Sequence, residues 1–155
     1  MVQRDATMSI PEIIDNVRRF HQVITEYSKS AERDSGLTGP QLWALQLLNT
    51  YEPLRVSELA DFMYLRSATI VGIIDRLESK GLVTRERSKT DRRAVELRLT
   101  EIGGRLAQSA PTVAQKLLVQ GLGGLTHDEY RCVETGMKLI VRMLKAENID
   151  PRPLH

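Results

Sequence analysis

The hydrophobic period of the chain changes at Gly81, and that change restricts the possible folds more than any other feature of the sequence. Before it, Ile70, Ile73, Ile74 and Leu77 recur at the i, i+3, i+4, i+7 spacing that gathers side chains on one side of a helix. After it, Val95, Leu97 and Leu99 alternate with Glu96 and Arg98, as a half-buried strand requires, and Leu82 to Arg87 can supply its antiparallel partner. Gly81 supplies the left-handed residue that ends a helix, and Lys80 stands in the last turn, where the dipole favours a cation. Between the strands lies Ser88-Lys89-Thr90-Asp91-Arg92-Arg93. It holds no Gly or Asn, so it cannot close a two-residue turn and must project as a longer loop. Asp91 can brace that loop by bonding its own backbone.

Charge marks the same stretch. From Arg66 to Arg98 there are nine Lys or Arg against five acids, out of 22 and 20 in the whole chain, so thirteen basic and fifteen acidic residues remain elsewhere. A net charge of +2 therefore conceals a basic face on a faintly acidic body. That is the footprint of a protein that binds a phosphate backbone. A solvated charged face that touches nothing would produce the same count.

The rest of the chain is organised around this helix and hairpin, as one domain over residues 1–155. Ser9, Pro11 and Glu12 open a first helix, with Met8 and Ile13 at the staple positions. Its stripe of Ile10, Ile13, Ile14, Val17, Phe20 or His21, Ile24 and Tyr27 runs to about Arg33, and Gly36 closes it. Thr38 and Gln41 box the start of a second, mostly buried helix containing Trp43, Leu45, Leu47 and Leu48. Pro53 interrupts, Leu54-Arg55-Val56 leaves room for a very short strand, and Ser57 is placed to cap a short third helix. With the Ser67–Lys80 helix this makes a helix-turn-helix, and the hairpin gives it a wing. Thr100 caps a fifth helix, which Pro111 should bend or break near Ala110. Thr126 and Glu129 box a last helix that ends near Asn148. Its stripe of Tyr130, Val133, Met137, Ile140, Val141 and Leu144, broadened by Leu139 and Met143, exceeds what a small winged core can cover. The expectation is a mainly α (α+β) fold of six helices and a small antiparallel hairpin sheet. Residues 37–100 form the winged unit, and helices over 9–35 and 101–148 serve dimerisation.

Other classes find little support. The apolar runs fall well short of the roughly 18 residues of a membrane span, and Met1 to Asp5 are followed by no signal-like segment. A single cysteine, Cys132, makes no internal disulfide, so the expected location is cytoplasmic. In the last helix it reads as an inert small hydrophobe. His21, His127 and His155 are too dispersed for a metal site. The sequence offers no nucleophile–base pairing, glycine-rich phosphate loop or supported carboxylate pair, so neither an enzyme nor a cofactor is expected.

Two blocks of the central stretch carry a family resemblance. Asp91-Arg92-Arg93-Ala94-Val95-Glu96-Leu97-Arg98-Leu99-Thr100 resembles the wing signature of the MarR family of dimeric winged-helix transcription regulators, D-x-R followed by an alternating strand ending in Leu-Thr. Asp75-Arg76-Leu77-Glu78-Ser79-Lys80-Gly81-Leu82-Val83 resembles that family's D-R-L-x-x-x-G-L-V stretch at the end of the recognition helix. The order of elements agrees along nearly the whole chain. The resemblance implies a homodimer intertwined through its outer helices, acting on double-stranded DNA as a repressor. It also implies a small aromatic or anionic effector held between the dimerisation helices and the winged unit, where Phe20, His21, Tyr27 and Trp43 could line a pocket.

Position assigns the contacts. A helix in the major groove reads base edges from its N-terminal turns while flanking cations hold phosphates. Ser67, Ala68, Thr69, Val71 and Gly72 are then placed for close approach, and Arg76 suits a phosphate. On the wing, Arg93 resembles the family's minor-groove residue, Asp91 orients the loop, and Lys89 and Arg92 are phosphate partners. Two positions depart from the family pattern: Arg66 stands where a capping Ser or Asp is more usual, and Gly72 where a polar or basic contact is common. Arg66 can take a phosphate at the helix start instead. The sequence also leaves open a winged-helix module that binds another protein without DNA, and a constitutive DNA-binding protein without an effector. A peroxide-sensing branch of the family carries its cysteine in the first helix, where this chain has none.

Overall fold

The computed structural model describes residues 9–91 and 93–154. Met8, Arg92 and His155, which the sequence reading also used, lie outside them. The described residues form seven helices and one two-stranded sheet: α1 (Ile10–Ser35), α2 (Gly39–Tyr51), α3 (Val56–Met63), α4 (Ser67–Ser79), β1 (Val83–Arg87), β2 (Val95–Leu99), α5 (Glu101–Ser109), α6 (Ala114–Gly123) and α7 (His127–Met143). The expected sixfold count becomes seven because Pro111 divides the fifth helix. Ala110, held extended ahead of the proline (φ −78°, ψ 152°), closes α5, and α6 restarts at Ala114.

α2 is the hub. It is apolar around nearly its whole circumference, which only a buried helix tolerates, and Leu42, Ala44, Leu45 and Leu48 are fully buried. Around it pack Leu37, Leu59 and Met63, the stripe Ile70, Ile74 and Leu77 of α4, and Val83 and Leu97 of the hairpin. At roughly 1.5–3 kcal/mol for each buried aliphatic side chain, this cluster is the main apolar stabilisation of the fold.

The helix starts follow from local hydrogen bonding. The Ser9 hydroxyl accepts from the Glu12 amide at 3.3 Å, and the Gln41 carboxamide accepts from the Thr38 amide at 3.3 Å. The Thr126 amide donates to the Glu129 carboxylate at 2.8 Å. α3 begins earlier than expected. The Glu58 carboxylate accepts from the Arg55 amide at 2.6 Å, so Arg55, not Ser57, is the cap. α7 also ends earlier, at Met143, where Leu144 closes it and Lys145 turns left-handed with φ 54°.

β1 and β2 pair antiparallel in the register Val83↔Leu99, Arg85↔Leu97 and Arg87↔Val95, and the expected short strand reduces to a single bridge from Leu54 to Leu97. Leu97 is fully buried while Val95 is 46% exposed, because the hairpin has left the core by that point. Its base is fixed by Thr100, whose hydroxyl donates to the Gly81 carbonyl at 2.8 Å and accepts from the Gly103 amide at 3.0 Å. Gly103 lets α5 lie against the chain there: a Cβ at that position would sit 2.0 Å from the Leu82 carbonyl oxygen.

Candidate nucleic-acid interface

α4 turns its apolar stripe inward and leaves a face of small and cationic residues outside. Ile70, Ile74 and Leu77 are fully buried and Ile73 nearly so, while Arg66, Ser67, Ala68, Val71, Gly72 and Arg76 are exposed and Thr69 is half-buried. A Cβ at Gly72 would meet nothing within 4 Å, so no internal contact demands glycine there. The open surface it leaves costs helix propensity of about 1 kcal/mol. Arg66 is the N-cap residue of α4 and supplies no side-chain cap. Its guanidinium forks onto the Asp150 carboxylate, Nη2 to Oδ1 at 3.0 Å and Nη1 to Oδ2 at 3.4 Å.

The wing tip is built from side chains that fold the loop onto itself. Buried Ser88 accepts at its hydroxyl from the amides of Thr90 and Asp91, both at 3.3 Å, and its own amide donates to the Ala94 carbonyl at 2.9 Å. One Asp91 oxygen accepts from the Arg93 amide at 3.0 Å, and the other accepts from Arg55 Nη2 at 3.3 Å. Asp91 is therefore a clamp between the cap of α3 and the backbone beneath Arg93. Lys89 and Arg93 are exposed on the outside of this loop. Arg92 lies outside the described residues.

Ion pairing redistributes the charge counted in the sequence. Arg85 donates to Asp75 at 2.6 Å and also to Glu78, and hydrogen bonding to Asp75 raises its pKa above the ordinary arginine value. Arg98 reaches both Glu86 and Glu96 at 3.3 Å. These two acids stand directly opposite each other in the sheet, a like-charge pair that the arginine between them relieves. With Asp91 held by Arg55, each of the five acids of the stretch faces an arginine, and Arg76, Arg87, Lys89 and Arg93 have no side-chain partner among the described residues. Exposed cations of this kind on a helix face and an adjacent loop can each hold one phosphate oxygen. The sequence reading missed Arg55, Ser88, Arg85 and Arg98. Only Ser88 carried a local signal, a hydroxyl two and three residues ahead of the amides it holds.

The four residues expected around an effector are not brought together. Phe20 and Tyr27 line a cavity of about 420 Å³ with α6 and Val133, almost wholly apolar. Trp43 lines another, of about 330 Å³, with Tyr51, Phe62, Tyr64 and Lys116, in which the Tyr51 and Phe62 rings stack at 4.7 Å. His21, exposed on α1, lines neither. Two glutamines tie these elements together: Gln46 Nε2 of α2 donates to the Pro111 carbonyl in the α5–α6 link at 3.0 Å, and Gln115 Nε2 of α6 to the Met63 carbonyl of α3 at 3.3 Å. α6 and the segment ahead of it are thus hydrogen-bonded to α2 and α3.

No helix among the described residues is long and apolar enough to cross a membrane, and they hold no group of three His, Cys, Asp or Glu that could bind a metal ion. Cys132 is exposed on α7.

The MarR family profile matches residues 37–95. The organic hydroperoxide resistance transcriptional regulator of Bacillus subtilis (strain 168) is 32% identical over 112 residues, covering 72% of this chain and 75% of that protein. The HTH-type transcriptional repressor MdtR of the same organism is 31% identical over 110 residues, covering 71% and 70%. The crystal structure of a MepR-like protein complexed with pseudoligands superposes with a TM-score of 0.57 at 27% identity, covering 86% of this chain and 95% of that one.

Proposed function

We propose that this chain, which belongs to the MarR family of winged helix-turn-helix transcription regulators, works as a homodimeric repressor on a pseudo-palindromic operator and is released by a small ligand. That it is a DNA-binding helix-turn-helix regulator, not an enzyme, follows from the family. The DNA-contact part of this reading is carried by one observation. The exposed cations of the central stretch gather on the outer side of α4 and the wing, while its acids are tied up by arginines.

In this reading α4 enters the major groove. Ser67, Thr69 and the thin surface at Ala68, Val71 and Gly72 approach the base edges, and Arg66 and Arg76 hold phosphates. Arg93 reaches the minor groove, with Asp91 fixing its backbone and Lys89 beside it, and Arg92 is assigned to the same group from the sequence. With no Arg, Asn or Gln among Ser67, Ala68, Thr69, Val71 and Gly72 to make bidentate base contacts, part of the specificity comes from groove shape. The long apolar faces of α1 and α7 supply the dimer, which places two such units side by side.

A ligand acts, in this account, through the α2–α3–α6 joint. Both cavities border α6, and Gln115 ties α6 to the carbonyl of Met63, three residues ahead of Arg66. A small aromatic or anionic molecule in either cavity would shift that joint and with it the start of α4.

Retention of the purified chain on duplex DNA at low salt, lost progressively as salt rises, is the expected result, with sedimentation at twice the chain mass. Binding that ignores salt, or a folded monomer at micromolar concentration, would contradict the proposal. The cytoplasmic location expected from the sequence remains part of this reading.

A further inference from the structure

Downstream of α7 the chain does not trail away. Asp150 forks onto Arg66 at 3.0 and 3.4 Å, and three and four residues on, Pro153 and Leu154 are half-buried. Leu154 sits in a notch with Tyr27, Ser28, Val113, Ala114 and Gln115, and its carbonyl oxygen lies 3.7 Å from the point a Cβ on Gly39 would occupy. α7 has no buried residue, so its own packing does not place this segment. It is placed by two separate contacts, one polar at the start of α4 and one in the notch between α1 and the starts of α2 and α6.

We propose that residues 149–154 form a strap that lays Asp150 on Arg66 in direct competition with a DNA phosphate. The inference rests on the reading of Arg66 as a phosphate contact. A carboxylate and a phosphate diester ask the same thing of a guanidinium, two oxygens in the plane of its donors. The uncapped N-terminus of α4 beside Arg66 favours either anion. Pro151 and Pro153 each fix one backbone torsion between the two contacts, so seating Leu154 keeps Asp150 at high effective concentration over Arg66. The ion pair is open to water, its side chains 76% and 78% exposed, which makes the strap a weak competitor that DNA can displace. Its effect is to set the concentration at which the operator fills.

The test is equilibrium DNA binding at one low salt concentration, by fluorescence anisotropy, on a duplex that the wild-type chain has itself selected from a random pool. Asp150→Asn should tighten binding by about two- to fivefold, the range an exposed ion pair commands. Leu154→Ala should also tighten it, and the double variant should gain nothing beyond Asp150→Asn, because both act through one contact. Glu147→Gln makes the same change in net charge on a nearby exposed residue and should gain much less. In an Arg66→Ala background, Asp150→Asn should gain nothing. An unchanged Asp150→Asn, an equal gain from Glu147→Gln, an unchanged Leu154→Ala, or a gain that survives Arg66→Ala would each overturn the strap. If the wild type binds no duplex, the DNA reading itself falls and the strap with it. If the wild type binds and Asp150→Asn matches it, only the strap falls.

Discussion

α4 and the first half of α1 carry the same sequence grammar and opposite surroundings. In α4, Ile70, Ile73, Ile74 and Leu77 are 0–7% exposed. In α1, Ile10, Ile13, Ile14 and Val17 repeat the spacing and stand 43–61% exposed, and along α7 Val133, Met137 and Met143 do likewise at 43–74%. Periodicity determines which side of a helix is apolar. It does not say whether the same chain covers that side. The winged unit closes its own core around α2, whereas α1 and α7 present apolar surface that a second copy is proposed to bury.

The largest effect should come from cutting the covered stripe. Ile74→Ala removes a fully buried side chain from the centre of the winged unit and should cost about 2–5 kcal/mol in urea unfolding, at every protein concentration tested. A loss below about 1 kcal/mol would mean the core is not closed as described. On the uncovered side, Met137→Glu should leave a folded winged unit, read by circular dichroism, yet sediment as a single chain. A dimer that survives this change would move the seam away from α7.

On the nucleic-acid face the effects should be smaller. Arg93→Ala should weaken binding by about 1–3 kcal/mol and lower the slope of log K against log salt by about one unit if its contact is mainly phosphate. Unchanged affinity would remove the wing from the mechanism. Arg55→Ala touches no DNA in this account and only frees Asp91, so its cost in affinity should be a fraction of that of Arg93→Ala. The salt slope should be preserved, and a lowered slope would show Arg55 to be a direct contact.

The smallest effect concerns the start of α7. Bonding from the Thr126 hydroxyl, and then its amide, holds the Glu129 carboxyl below the ordinary glutamate range. The cap therefore contributes fully above about pH 4.3 and is lost as pH falls through the depressed value. Helix content should fall slightly on acidification in the wild type, and less in Glu129→Gln. An identical acid transition in both would show that the box does not titrate.

Much of this architecture was legible in the chain because it is local. The caps at Ser9, Thr100 and Thr126, the left-handed Gly36 and Gly81, the break at Pro111 and the buried stripe of α4 each depend on residues a few positions apart. What was not legible depends on register and on distant contacts. Arg85 and Arg98 absorb four acids only because the hairpin folds them past α4 and across the sheet. Arg55 is read as part of a very short strand until the wing brings Asp91 against it, and nothing local marks Gly103 before α5 lies on the Leu82 carbonyl. The family resemblance groups Trp43 with Phe20, His21 and Tyr27, yet Trp43 lines a different cavity from Phe20 and Tyr27. Asp150 and Arg66, 84 residues apart, leave no trace of their pairing in either local sequence.

The central claim is that two winged units, held by the uncovered faces of α1 and α7, read one site together. The direct measurement is a footprint of the purified chain on a duplex it has selected, with the stoichiometry taken from the same mixture. Two protected segments related by a pseudo-dyad, centred about one helical turn apart, are expected, with two chains per duplex. A single asymmetric segment occupied by one chain would contradict it.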